Sequence, residues 1–313
     1  MRRTVLPGLA VAALLTAGLG LLDVYPRFLL AQLAVVVIAV VSLNLLNGVA
    51  GMLSLASAAF MGVGGYGVLI LLDNAGIPLA ASVPLTLVTG WLAGWLMGLV
   101  AVRVSGLSLA IVTFGFVEIF QVFTREGGDL AGDGYGLVVP RIVIPGAGPL
   151  TRDIVTYGCV FAACVVVVLT VTLTRSRVGR AWHAIKDHPA AAEMQGVNLP
   201  AMRAQAFATA GAMATLAGIL QAFLLGITNP SLYTIDNSIG HVAMMIVGGA
   251  SGSVVGAVLG PALLFLARET LDLGQYREVL YGAALLGTLV LAPSGLAGAW
   301  FYLARHARRA LRR

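Results

Sequence analysis

The sequence predicts an all-α polytopic membrane protein of about ten transmembrane or partly re-entrant helices, and three observations carry that prediction. Hydrophobic residues fill 59% of the 313 positions and charged residues 10%, which leaves too few polar side chains to coat a soluble domain. Apolar runs near the roughly 20 residues that a spanning helix needs recur along the whole chain. The 39 glycines fit the same class, because membrane helices use Gly to bring backbones into close contact.

In order, the runs fall at residues 5–22, 28–46, 49–72, 81–102, 107–123, 153–173, 203–226, 238–250, 253–271 and 280–298. The first, "MRRTVLPGLAVAALLTAGLGLL", has the basic start and apolar centre of a secretory signal. No small-x-small cleavage site precedes Asp23, and the next span needs an antiparallel neighbour, so it is expected to stay as the first helix. The runs at 49–72 and 238–250 hold "GVGGYG" and "VGGASG"; these are the two places where a broken or re-entrant segment is expected, provided that protein covers the backbone. Gly90, Gly94 and Gly98 in the fourth run, and Gly252, Gly256 and Gly260 in the ninth, each form a smooth stripe for close helix crossing. Their matching positions in two halves of five suggest an internal repeat, as in many transporters.

Thirteen of the nineteen Lys and Arg residues fall on one side if both termini are cytoplasmic, and such an excess marks the inside. The expected organisation is one transmembrane domain over 1–313, with an extracytoplasmic loop at 124–152, a cytoplasmic segment at 174–202 and a basic cytoplasmic tail at 301–313. Within the loop, "LVVPRIVIP" reads as extended chain or a short helix. The tail's "RHARRALRR" meets anionic lipid rather than nucleic acid.

Several chemistries lack their residues. The only lysine, Lys186, follows Ile185, so no G-x-x-x-x-G-K-[ST] phosphate loop exists. His183 and His188 are five apart without an H-E-x-x-H carboxylate, and His241 and His306 stand alone. No Gly-x-Ser-x-Gly elbow occurs. Cys159 and Cys164 sit in an apolar run and read as small buried hydrophobes. Glu118, in "IVTFGFVEIFQVF", is the clearest acid inside a span; placed a turn or two from the outer end, it reads as a structural residue rather than a proton carrier. Asn44, Asn47, Ser54 and Ser57 are polar groups in otherwise apolar spans, where they serve either as helix–helix contacts or as the wall of a translocation pathway.

The longest polar stretch is "SRVGRAWHAIKDHPAAAEMQGVNLP", residues 176–200. Val178, Ala181, Trp182 and Ile185 recur at helical spacing, opposite Arg177, Arg180 and Lys186. Pro189 ends that helix and opens a second at "AAAEMQ", which Gly196 closes as a left-handed cap. The result is a rigid corner of two short helices, or else an amphipathic connector lying on lipid.

Three blocks in order, "LNLLNGVAGMLSLASAAFMGVGGYG" (43–67), "GLSLAIVTFGFVEIF" (106–120) with the Gly-rich loop ending "GYGL", and "SRVGRAWHAIKDHPAAAEMQGVN", resemble the inner-membrane permease subunits of branched-chain amino acid ABC importers of the LivM-like type. The resemblance covers residues 40–265 or so. It implies a non-catalytic, multi-pass permease of the bacterial inner membrane with both termini cytoplasmic. It also implies a docking segment in which Arg180, Trp182, Ile185, Ala190, Ala191, Ala192 and Gly196 meet an ATPase subunit. The family's acid-Ala-Ala pattern, three residues and Gly falls on Ala190, Ala191, Ala192 and Gly196, so Ala190 replaces the acid, with Glu193 one turn on. Ala56 and Ser57 stand where the family has Gly followed by a polar His or Gln. The implied partners are a second, LivH-like permease, two ATPase subunits that hold ATP and Mg, an extracytoplasmic binding protein and membrane lipid; no cofactor is bound by this chain. The implied substrate is leucine, isoleucine or valine, with urea, short amides or other amino acids as the alternative. A secondary transporter or channel, or a structural scaffold, would need no ATPase.

Overall fold

The computed structural model describes residues 23–271, apart from 105, 141–142, 145–147 and 250–251, together with 279, 282, 286 and 287. The predicted runs at 5–22 and 280–298 and the tail at 301–313 lie outside the described residues. Each of the eight runs between 28 and 271 contains a helix.

Helix α1 (Val24–Asn44) is apolar and sinks into the protein from Val35 onward. It continues as a π turn over Leu45–Val49 and stops at Gly51, whose φ of +69° no other residue adopts easily. Residues 50–56 are non-helical, and α2 runs over Ser57–Asp73. The predicted run at 49–72 is thus a loop followed by a 17-residue helix. The loop survives inside protein because Asn47 replaces the missing ladder: its amide oxygen accepts from Ser54 N–H at 2.9 Å, and its amide nitrogen donates to Ser54 O at 3.4 Å.

Helices α3 (Leu79–Arg103), α4 (Leu107–Glu126) and α5 (Arg152–Thr174) follow, then the short pair α6 (Arg177–Asp187) and α7 (Pro189–Met194), and the 27-residue α8 (Leu199–Leu225). Helices α9 (Ile235–Gly249) and α10 (Val254–Leu271) are bent by 117° at their junction, a broken or re-entrant arrangement. Five helices are long and apolar enough to cross a membrane, six if α9 and α10 form one broken span, among the described residues. Between α4 and α5, β1 (Leu137–Val138) pairs antiparallel with β4 (Ile227–Thr228), and β2 (Val143–Ile144) with β3 (Gly148–Pro149); "LVVPRIVIP" is therefore partly extended.

Small residues set the packing. The Gly90, Gly94 and Gly98 stripe of α3 lies on α8, where an added Cβ would strike Thr215, Phe207 O and Ala204 in turn. Residue numbers rise on one helix as they fall on the other, so the pair is antiparallel. Helix α2 crosses α8 at Gly64 and Gly218, against the carbonyls of Thr215 and Met61. In the other stripe, Gly260 packs on Met244 and Gly248 of α9, while Gly252 meets Gly48. One stripe therefore joins two long helices and the other closes a short hairpin.

Two buried clusters result. The larger centres on Ile38, Phe60, Met61, Phe120, Ala214 and Met244. The second joins Leu45, Val49, Leu109, Trp182 and Phe207, and so ties α6 to the end of α1. The end of the bundle that holds this second cluster carries Arg103, Arg175, Arg177, Arg180, Lys186 and Arg203, whereas the opposite end carries Asp73, Glu126, Asp129, Asp133, Asp153 and Asp236. The two are called here the basic end and the acidic end.

Candidate functional site

At the basic end, α6 and α7 form a corner fixed from within. Ser176 Oγ caps α6 by accepting from Gly179 N–H at 3.4 Å. The absence of a Cβ at Gly179 lets the carbonyls of Leu173 and Thr174 approach. Trp182 is 1% exposed, and its Nε1–H donates to Met202 O at 2.9 Å. His188 is extended before Pro189, which opens α7. Gly196, at φ +83°, ends it in a Schellman arrangement: Val197 N–H donates to Ala192 O at 3.1 Å, and Gly196 N–H to Glu193 O at 2.9 Å. The nominated docking residues divide accordingly. Trp182, Ile185 and Ala192 are buried within this chain; Arg180, Ala190, Ala191 and Gly196 are exposed. Met194, which sequence reasoning passed over, is 88% exposed beside them.

The sole lysine has a specific partner. Lys186 Nζ donates to Gly48 O at 2.6 Å, in the π turn that ends α1. This is one of the orphan carbonyls of a helix C-terminus, where a cation is favoured. The aliphatic stem lies against Gly51, with an added Cβ there 3.0 Å from Lys186 Cβ. Gly48 in turn touches Gly252, and Asn44 Nδ2 donates to Ser253 O at 3.4 Å. A continuous run of contacts therefore leads from the exposed corner through the break in α1 to the α9–α10 turn. The available signal was that the chain has one lysine, in its one long polar stretch.

The four polar residues nominated for a pathway do not converge on one point. Asn47 and Ser54 meet in the loop, whose Leu55 N–H also donates to Thr113 Oγ1 at 2.9 Å. Asn44 meets the α9–α10 turn. Ser57 belongs to a buried cluster with α9: its Oγ lies 3.1 Å from His241 Nδ1 and 3.4 Å from Ser238 Oγ, which accepts from Ala58 N–H at 3.0 Å. Sequence reasoning treated His241 as solitary and did not single out Ser238. Their relation to Ser57 spans more than 180 positions, and no local pattern encodes it.

Glu118 lies about two turns inside a regular helix. Helix α4 extends to Glu126, so Glu118 lies eight residues from its end, about 12 Å at the α-helical rise. It is exposed on the same face as Leu107, Ile111, Phe114 and Val122. No ion pair is recorded for it among the described residues.

The family described as branched-chain amino acid transport system, permease component, matches residues 25–292. The chain belongs to this family. Similar proteins include the high-affinity branched-chain amino acid transport system permease LivM of Salmonella typhimurium and of Escherichia coli K12, each 27% identical over 282 residues, covering 81% of this chain and 65% of the relative. The autoinducer 2 import system permease LsrC of Yersinia pseudotuberculosis is 27% identical over 234 residues, covering 69% of this chain and 63% of LsrC. The chain thus spans 65% of the length of the LivM relatives. No solved structure matches it. As a LivM-like ABC permease it is a multi-pass membrane protein, and its relatives are permease components rather than catalytic subunits.

In this LivM-like permease the position where the resemblance leads one to expect an acid is Ala190, on the exposed side of α7. Glu193 is also exposed, one turn on, so the corner still presents a carboxylate beside the basic side chains of α6.

Proposed function

We propose that this chain is the transmembrane permease subunit of an ATP-driven ABC importer for branched-chain amino acids, passing substrate from an extracytoplasmic binding protein to the cytoplasm. The observation that carries the reading is the corner formed by α6 and α7, capped at Ser176, closed at Gly196, exposed on one side and joined through Lys186 to the break in α1. A connector that only rests on lipid needs no Schellman stop and no such attachment. In this reading the corner docks on an ATPase subunit, which holds ATP and Mg. Its movement shifts the permease between outward- and inward-facing populations, by an amount set by the differential binding of each state.

The basic end is cytoplasmic, by the excess of Arg and Lys in its short loops, and the membrane is the bacterial inner membrane. A second, LivH-like permease completes the pathway. The exposed face of α4 is the surface we assign to it, because a carboxylate more than two turns inside a helix is costly against lipid and is relieved by a protein partner or a water-lined path.

Reconstitution tests the proposal: vesicles holding this permease, its partner permease and two ATPase subunits, with binding protein outside, should take up leucine only when ATP is supplied on the ATPase side. Uptake that persists without the ATPases and follows an ion gradient would establish a secondary transporter instead. The likeness to LsrC favours one other cargo, autoinducer 2, and uptake of it in preference to leucine in the same vesicles would reassign the substrate.

A further inference from the structure

A cavity of about 240 Å³ lies between α1, α2, α8 and α9, with Phe265 of α10 on one side and its mouth at the acidic end. Its walls are apolar at Val35, Met61, Leu224, Met244 and Phe265, and its lining holds no lysine or arginine. Its polar lining is Gln32, Gln221, Ser231, Asp236, Asn237 and His241, and three acceptors among them stand out. Asp236 is exposed at the mouth. The amide hydrogens of Asn237 are engaged by Leu232 O at 3.0 Å and Ser231 O at 3.4 Å, which leaves its amide oxygen as the spare group. Gln221, one turn inside the end of α8, has its amide oxygen buried and without a hydrogen-bond partner among the described residues. Such an orphan acceptor is costly in an apolar setting and is relieved by a donor from a ligand or water.

We propose that this cavity binds the ammonium-bearing end of a small aliphatic amine within this single chain. An ammonium carries three donors and one charge, and the cavity offers a carboxylate and two amide oxygens beside a dry wall for a branched hydrocarbon. Under the importer reading, on which the physiological ligand rests, that amine is the α-amino group of leucine, isoleucine or valine. The substrate carboxylate then lies toward the mouth, near the first turn of α9, the end of a helix that favours an anion. The site also touches the coupling route. His241, in its lining, contacts Ser57, and Ser57 follows directly on the loop that Asn47 holds and Lys186 underlies. Filling the cavity and moving the docking corner therefore act on the same short segment of chain.

The test uses the full complex in nanodiscs without binding protein, and measures displacement of radiolabelled leucine by two fragments. Isoamylamine, which is leucine without its carboxylate, should compete; isocaproate, which lacks the amine, should not. Asp236→Asn and Gln221→Leu should each weaken leucine binding about tenfold, the size expected for one charge-assisted hydrogen bond, and Val36→Trp, at a residue that also lines the cavity, should abolish it by filling the space. Co-purification of the ATPase subunits and a monodisperse elution profile show that each variant complex is assembled. Equal competition by isocaproate, or unchanged affinity in Asp236→Asn, overturns the proposal. Failure of the importer reading is seen separately. Wild-type complex would then bind isoamylamine, read as a thermal shift that Asp236→Asn removes, yet show no ATP-dependent leucine uptake.

Discussion

At Gly196 an added Cβ would meet nothing within 4 Å, but φ is +83°. The cost of replacing it is therefore conformational alone, about 1 to 2 kcal/mol for a residue with a Cβ. Gly196→Val is expected to leave permease abundance in the membrane unchanged while lowering leucine uptake per ATP hydrolysed, measured in the reconstituted complex; equal coupling would detach the corner from the mechanism. Gly218 poses the opposite case. A Cβ there runs into the carbonyl of Met61 across the α2–α8 crossing, and neither backbone can yield without parting the helices. Gly218→Val should sharply reduce folded permease, assayed as the monodisperse fraction after solubilisation, before transport is measured at all. Lys186→Met keeps an apolar stem over Gly51 but loses the 2.6 Å bond to Gly48 O. ATPase subunits should still co-purify with it, uptake per ATP should fall, and Lys186→Arg should recover part of the loss by supplying a cation to the same carbonyl.

Among the elements, the departures from regular helix are where the transport argument gathers. Helix α1 ends in a π turn, the chain runs non-helically to Ser57, and α9 and α10 meet at 117°. These breaks touch one another at Gly48 and Gly252, so each supplies the cover that the other's irregular backbone needs inside a membrane protein. Helix α4 is regular and differs in its exposed face, where Glu118 stands among apolar residues. Among the described residues no ion pair holds Glu118, so no charged side chain stands beside it to pass a proton on. Glu118→Gln is therefore expected to leave the pH dependence of uptake unaltered; a displaced profile at normal abundance would make the carboxylate a proton carrier and favour the secondary-transporter reading.

For the whole molecule, charge separates the two ends, and the test is accessibility. With Cys159 and Cys164 replaced by Ala, single cysteines at Arg177 and Tyr135, both exposed, should label from opposite sides of a sealed vesicle, Tyr135 from the binding-protein side. Labelling of both from one side would refute the orientation.

The sequence by itself determined the class, the approximate position of each helix from 28 to 271, the polar corner and its glycine stop, because each depends on local periodicity, on the cost of polar backbone in lipid, or on the conformational freedom of one residue. The three motif blocks carried the family. Tertiary structure alone decided that Trp182 and Ile185 face inward, that Lys186 holds the end of α1, that Ser57 meets His241, and that Gln221 and Asp236 share a cavity. Those pairings join positions from 15 to more than 180 residues apart. In a chain where nearly every helix is apolar on all sides, hydropathy shows that a residue is in the membrane but not which neighbour it meets. That choice falls to the fit of small residues at the crossings and to the few polar atoms that must find partners.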